Sequence, residues 1–387
     1  MPIRVLLVED SPVALAVLTK ILEQSPQIEI VGVAHTGVEA LSMIPQVQPQ
    51  VICTDLHMPH MDGLALTTEI MARFPLPILV ISVSVQAEDT AQVFRLLEAG
   101  AVDVLPKPVA GMTVENEALN KRLIEKIQIL SGVKVFKKKK AVGRAAVDQA
   151  VAAAMPVVGR AERSVPNQLS GISAEFSADL SSGMSSEMSR WKRPKIIAMG
   201  ASTGGPKALH ALLRDLPRNF PPIVCVQHIS PGFLSGLLNW IQHDCVVKLV
   251  IAQEGQRPAS GHVYFAPAHR HLRLNTKGEF TYWDGPLVDG HRPSITVTLQ
   301  SVAHYYGPQS VGVLLTGMGQ DGAAGMAAIA RSGGLTLAQD ESTSVVFGMP
   351  KVAIDLGAAY RVLPLDAIAP TLIEFVNTRA LAEASRS

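Results

Sequence analysis

A single serine, Ser202, sits inside the Gly-rich turn Gly200-Ala-Ser-Thr-Gly-Gly205. The apolar run Lys195–Met199 leads into it, and a helical segment follows from Pro206. A strand–turn–helix of this kind lifts a hydroxyl off a sheet and aims it at the N-terminal end of the helix. Gly200, Ser202 and Gly204 also fit the G-x-S-x-G spacing of a nucleophile elbow. A Gly-rich turn before a helix can equally cradle a phosphate, and a plain structural turn is a third reading. A serine hydroxyl is a weak nucleophile and needs a positioned base. His228 follows the next apolar run, Ile223–Gln227. Adjacent parallel strands end about 5 Å apart, so a His ending one can reach a Ser ending the other. That base needs a carboxylate to fix its tautomer and stabilise the imidazolium. The candidate is Asp321, in Leu314-Leu-Thr-Gly-Met-Gly-Gln-Asp-Gly322. Gly317 and Gly319 leave backbone N–H groups near Met318 free as oxyanion donors, a contribution worth about 10²–10³-fold in rate.

Each residue alone has a blander account. Asp321 before Gly322 fits a helix N-cap, and His228 fits a packed surface histidine. Other histidines compete for the role of base, among them His243, His262, His269, His271 and His291. His269 and His271 lie on or beside an expected hairpin, and His291 precedes Arg292-Pro293, so the end of the first strand is not where these are expected to face. No H-E-x-x-H spacing is present, which disfavours a metal-assisted hydrolase. The chain order Ser, His, Asp differs from the Ser, Asp, His order of α/β-hydrolases.

A second set of residues is acidic. Glu9 and Asp10 end one apolar run and Asp55 ends another. Three carboxylates at one edge repel one another unless a cation sits among them, and oxygen ligands alone suit Mg²⁺. Ser82 and Lys107 end two further runs. A hydroxyl and an ammonium at the same edge complete a phosphoryl site with Asp55 as nucleophile. The alternative is that Asp10 and Asp55 merely cap the helices that follow.

These residues must be positioned by β/α units. Strands are expected at Arg4–Val8, Ile28–Ala34, Val51–Thr54, Ile78–Ser82 and Asp103–Leu105. Helices are expected at Pro12–Gln24, Gly37–Ile44, Leu64–Arg73, Ala87–Ala99 and Thr113–Leu130. The alternation is that of a five-stranded, doubly wound parallel sheet, whose sites lie at the carboxyl ends of its strands. Residues 131–193 carry Lys137–Lys140, then Ala-rich and Ser/Met/Gly-rich sequence without apolar period. They read as a long flexible linker, with a helical extension possible over Ala145–Ala154.

From 194 the alternation resumes, giving an α/β fold of residues 1–130, a linker, and a second doubly wound α/β domain over 194–387. In the second domain His262–Ala266, His271–Asn275 and Phe280–Asp284 read as antiparallel hairpins inserted into it, and helices are expected to close the chain. The 387 residues carry a net charge of +1, 48% hydrophobic and 17% charged residues, enough for two cores and no case for nucleic acid. Cys53, Cys225 and Cys245 are scattered, which argues for a reducing compartment. No signal peptide or apolar run of about 18 residues is present, so a cytoplasmic protein without membrane insertion is expected.

Residues 3 to about 130 resemble a response-regulator receiver domain, on Glu9-Asp10, Asp55 with Met58-Pro59 and Asp62-Gly63, Ser82 and Lys107-Pro108. The resemblance implies phosphorylation of Asp55 by a CheA-type histidine kinase. It implies Mg²⁺ held by Glu9, Asp10, Asp55 and the backbone carbonyl of His57, with Ser82 and Lys107 on the phosphoryl group. Many receivers carry an aromatic where this chain has Val104. Residues 195 to about 380 resemble the catalytic domain of chemotaxis methylesterases of the CheB type. The match rests on Gly200–Gly205, Gln227-His228, Gly261–Pro267, His291-Arg-Pro-Ser294, Leu315–Ala323, Ala338-Gln-Asp and Val346–Pro350. It implies a triad of Ser202, His228 and Asp321, with an oxyanion donor at the Met318 N–H and Thr203 close by. The implied substrate is a glutamate γ-methyl ester on a methyl-accepting chemoreceptor, with no cofactor for the ester chemistry; some members also deamidate receptor glutamines. In that family the unphosphorylated receiver covers the catalytic cleft; the linker here is long for such tight docking. His291–Ser294 is expected at the border of the cleft.

Overall fold

The computed structural model describes residues 1–82, 87–108, 114–133, 135 and 191–384. The first half runs β1 (Ile3–Val8), α1 (Pro12–Leu22), β2 (Ile28–Ala34), α2 (Gly37–Val47), β3 (Val51–Thr54), α3 (Gly63–Arg73), β4 (Ile78–Ser82), α4 (Ala87–Ala99), β5 (Asp103–Pro106) and α5 (Val114–Leu130). Its strands form one parallel sheet in the order β2-β1-β3-β4-β5. Every residue of β3 and β4 is buried, which is why these read as unbroken apolar runs. Helix starts follow side-chain caps: Ser11, Thr36 and Asp62 accept from the N–H groups of Ala14, Glu39 and Ala65. Asp62 is thus the cap of α3. Nearly all of the expected linker lies outside the described residues, including Lys137–Lys140 and Ala145–Ala154.

The second half begins with β6 (Ile196–Ala201), α6 (Gly205–Leu213), β7 (Ile223–Gln227), α7 (Leu234–Gln242), β8 (Lys248–Ile251), β9 (His262–Phe265), β10 (His271–Leu274) and β11 (Phe280–Trp283). It continues through α8 (Ile295–Tyr306), β12 (Ser310–Leu314), α9 (Ala323–Arg331), β13 (Leu335–Gln339), α10 (Met349–Asp355), β14 (Arg361–Leu363) and α11 (Leu365–Ala384). A seven-stranded sheet has the order β14-β13-β12-β6-β7-β9-β8. All its pairings are parallel. The chain leaves β6 toward β7 and returns on the other side as β12, so a switch point lies at the carboxyl end of β6, where ligand crevices form.

Two expectations are corrected. His262–Phe265 is no hairpin strand: it joins the main sheet between β7 and β8, and among the named strands of the described residues only β10 and β11 pair antiparallel. Val263, Tyr264 and Phe265 are all buried, the signature of a strand covered on both faces. The close of the chain also holds a strand, β14, beside helices. It is three residues long, half exposed and at the sheet edge, so it carries no apolar run to read.

The two halves are docked, against the expectation drawn from the linker's length. Helix α4 packs on α7. Phe94 stacks on Trp240 with centroids 5.4 Å apart, and the Trp240 Nε1–H donates to Glu98 at 2.6 Å. Lys126 on α5, paired with Asp103, reaches Thr203 Oγ1 at 3.1 Å. Buried apolar and aromatic contacts hold this interface, and a tether's length changes only the effective concentration of the parts. Among the described residues no helix is long and apolar enough to cross a membrane.

Candidate functional site

Ser202 follows β6 directly and is 7% exposed. Its turn is pinned from three sides. The Ser202 N–H donates to the Thr316 carbonyl at 3.0 Å, and the Gln227 side-chain amide donates to the carbonyls of Ser202 and His228, each at 2.9 Å. The Thr316 hydroxyl donates to the Thr203 carbonyl at 2.9 Å. Gly204, with φ of 78°, starts α6 in the left-handed region, where a Cβ would also meet Val345 at 2.6 Å. The turn is therefore shaped by backbone needs that only glycine meets.

His228 follows β7, and the pairing of Ala201 with Gln227 puts the two strand ends side by side. Its Nε2 lies 2.9 Å from Asp321 Oδ2. A carboxylate only accepts, so Nε2 carries the hydrogen and Nδ1 the lone pair. That Nδ1 is buried without a hydrogen-bond partner among the described residues. It is not bonded to Ser202, a looseness common before substrate arrives.

Asp321 is wholly buried and accepts three further hydrogen bonds, from Ser294 Oγ at 2.8 Å, Ile295 N at 2.7 Å and Thr296 N at 2.8 Å. These donors form the N-terminus of α8, where the helix dipole favours a negative charge. Burial works to raise the Asp321 pKa, but His228 and the α8 amides outweigh it and bring it down to about 2. The helix that follows Asp321 is capped at Gly322 without a side-chain bond, so Asp321 is no cap of its own helix.

Met318 stands between Gly317 and Gly319 on the turn after β12. The Gly317 N–H is taken by the Val346 carbonyl at 3.0 Å, while that of Met318 has no acceptor among the described residues. A Cβ on Gly317 would lie 2.7 Å from Ser202 Cβ, so this turn runs against the serine. Thr203 is buried, with its hydroxyl on Lys126.

His291 lies at the site, as the resemblance implied for the border of the cleft, though its residue-level placement pointed away from the end of the first strand; its ring lies flat on that of His228, centroids 3.8 Å apart. His271 accepts from Ser294 N at 3.2 Å and supports the same segment. Gln227 and Ser294 were named only as members of matching motifs, and Thr296 and Asp289 not at all. Their signal was weak: Gln227 and Ser294 are polar residues beside others to which the chemistry was assigned, and Thr296 and Asp289 flank the His291–Ser294 motif.

At the edge of the first sheet, Glu9, Asp10 and Asp55 each place a carboxylate oxygen within 4.8 Å of the others. Lys107 bridges Glu9 and Asp55 at 2.8 and 2.7 Å. Burial raises the pKa of Glu9, aided by the Asp55 charge. Burial also opposes the Lys107 charge, but its bonds to Asp55 and Glu9 prevail and raise its pKa. Ser82 is buried beside them at the end of β4 with its hydroxyl unpartnered among the described residues. One ammonium facing three acids leaves negative charge uncompensated, so the donor set fits a hard divalent cation. Val104, in place of the common aromatic, is packed in the core.

A Ser-His-Asp constellation on one parallel sheet, docked against a receiver-like sheet with an acidic pocket, defines a hydrolase with a phosphorylation module. Residues 197–372 match the CheB methylesterase family and residues 5–119 the response regulator receiver domain. A Nitrosospira multiformis protein named protein-glutamate methylesterase/protein-glutamine glutaminase is 36% identical over 378 residues, 97% of this chain and 98% of its own length. A Syntrophus aciditrophicus protein of that name, numbered 1, is 37% identical over 98% of this chain and 99% of its own. The crystal structure of the Thermotoga maritima CheB methylesterase catalytic domain, 38% identical, matches with a TM-score of 0.46 over 47% of this chain and 99% of that one. The chain belongs to the CheB methylesterase family, with a response-regulator receiver in the same polypeptide.

Proposed function

We propose that this chain hydrolyses glutamate γ-methyl esters on methyl-accepting chemoreceptors, and deamidates receptor glutamines by the same acyl chemistry, under control of phosphorylation at Asp55. The observation that carries the reading is the His228–Asp321 pair, held by the α8 amides beside Ser202 with Nδ1 of His228 unpartnered. Ser202 Oγ attacks the ester carbonyl as His228 Nδ1 takes its proton. The imidazolium so formed is stabilised by Asp321, which its low pKa keeps ionised. The oxyanion accepts from the Met318 N–H, with Thr203 alongside. His228 returns the proton to the leaving methoxide, methanol departs, and water attacks the acyl-enzyme by the same route. Glutamine follows the same steps with ammonia as leaving group.

Phosphate reaches Asp55 from a CheA-type histidine kinase. Glu9, Asp10, Asp55 and the His57 carbonyl would hold Mg²⁺, which neutralises charge on the phosphoryl oxygens. Lys107 and the Ser82 hydroxyl then contact the phosphoryl group. In the docked form α5 lies against the serine turn through Lys126 and Thr203, which keeps a receptor helix away. Phosphorylation at the far edge of the receiver sheet loosens this contact. The domains acting here are the receiver of residues 1–130 and the catalytic domain of 194–387. The reading places the enzyme in the cytoplasm.

The test is methanol release from methylated receptor, with and without a small-molecule phosphodonor. Release that rises with phosphodonor and vanishes in Ser202→Ala supports the reading. Equal release from wild type and Ser202→Ala defeats it.

A further inference from the structure

His228 is fastened at one atom only. Its Nε2 is held by Asp321, while Nδ1 has no partner among the described residues. One hydrogen bond leaves an imidazole free to rock about that contact, and a small tilt moves Nδ1 off the line to Ser202. A misplacement on the order of 1 Å can cost about 10²-fold in rate.

The ring face of His228 is covered by His291, with 4° between the planes. The His291 ring is itself fixed. Its Nδ1 lies 2.8 Å from the Asp289 carbonyl, an acceptor, so Nδ1 is the protonated nitrogen. Asp289 holds a positive φ of 51°. Thr296 Oγ1 and Gln320 Nε2 donate to its two carboxylate oxygens at 3.1 and 2.9 Å. The His291 loop is therefore tied both to the N-terminus of α8 and to the turn bearing Asp321, the same two elements that hold the triad carboxylate. Burial and the neighbouring His228 push the His291 pKa down to about 4, so the ring is neutral at neutral pH.

We propose that His291 is a positioning residue for the hydrolysis: its ring face holds the His228 imidazole in the plane that aims Nδ1 at the Ser202 hydroxyl. This rests on the esterase reading of Ser202, His228 and Asp321. Being neutral, the upper ring does not repel the imidazolium that forms beneath it. The alternative, a metal ion shared by His228, His291 and Asp321, is close enough in distance. It fails on direction, because the lone pairs of parallel stacked rings lie in separate planes and do not converge on one ion.

The test uses full-length protein with phosphodonor and Mg²⁺, assayed on methylated receptor and normalised by fluorophosphonate titration of Ser202. His291→Ala is expected to lower kcat about tenfold, near the upper end of what an aromatic pair contributes, with KM little changed. His291→Phe, which keeps a flat ring, is expected to recover kcat to within about threefold of wild type on the same stacking grounds. His291→Leu fills the space without a flat face and is expected to stay at the level of His291→Ala. Normalisation removes any loss of folded protein, so a merely structural role would move no normalised kcat. Wild-type kcat in His291→Ala, or equal values for Leu and Phe, overturns the proposal. Wild-type protein that releases no methanol overturns instead the esterase reading on which it rests.

Discussion

The two sheet edges solve opposite electrostatic problems with one architecture. Both sites stand at the carboxyl ends of parallel strands. The receiver edge gathers Glu9, Asp10 and Asp55 against a single Lys107 and keeps surplus negative charge. The catalytic edge holds one carboxylate, Asp321, and compensates it fully with His228, a serine hydroxyl and two helix amides. Surplus negative charge suits the first edge to a hard divalent cation. Complete compensation makes the second rigid, which suits a site that must act many times without changing. Lys126 and the Phe94–Trp240 stack join the responsive half to the rigid one.

The largest expected break in this contrast is at the nucleophile. Ser202→Ala should lower methanol release by about 10⁴-fold or more, while uptake of phosphate at Asp55 from a phosphodonor stays as in wild type. Loss of phosphorylation in that variant would mean the edges are not independent. Asp321→Asn removes the compensated charge and should cost up to about 10⁴-fold in kcat at neutral pH, since the amide favours the wrong His228 tautomer.

Asp55→Asn tests the responsive edge alone. It should leave the unstimulated rate unchanged and abolish the response to phosphodonor, read by methanol release. A response that survives would place the phosphoacceptor elsewhere. At the junction, Trp240→Ala should raise the unphosphorylated rate severalfold, because an aromatic pair contributes about 0.5–1.5 kcal/mol to docking. A fall in that rate would show that docking assists the site instead of covering it.

One further effect concerns stability in acid and leaves activity at neutral pH untouched. Asp321 has a folded pKa of about 2 against an ordinary 3.8, so its contribution is fully present above pH 4. It is lost as pH falls through about 2 and amounts to roughly 2 kcal/mol. Thermal melts between pH 2 and 5 should show this slope in wild type and lack it in Asp321→Asn.

Reading the sequence succeeded where chemistry and burial coincide in a short span. Strands β3 and β4 were legible to the residue, since every side chain in them is buried and all but the closing Thr54 and Ser82 are apolar. That Ser202, His228 and Asp321 lie at one sheet edge was legible because each sits on a turn that follows a strand run. The motif of His291 put it at the border of the cleft, but its stacking on His228 was not legible, because it lies on an irregular loop tied through Asp289 to Gln320, thirty-one residues on. His262–Phe265 was misread because a four-residue apolar run looks the same in a hairpin and in a buried parallel strand.

The sequence alone determined most of the elements, the residues able to do chemistry and the strand-end turns they occupy, because local periodicity and turn composition are short-range properties. Only the tertiary structure decided that α8 hands its amides to Asp321, that His291 covers His228, and that Lys126 and Phe94 dock one half on the other. Those contacts join segments remote in the chain, and their geometry follows from how the helices pack on each sheet.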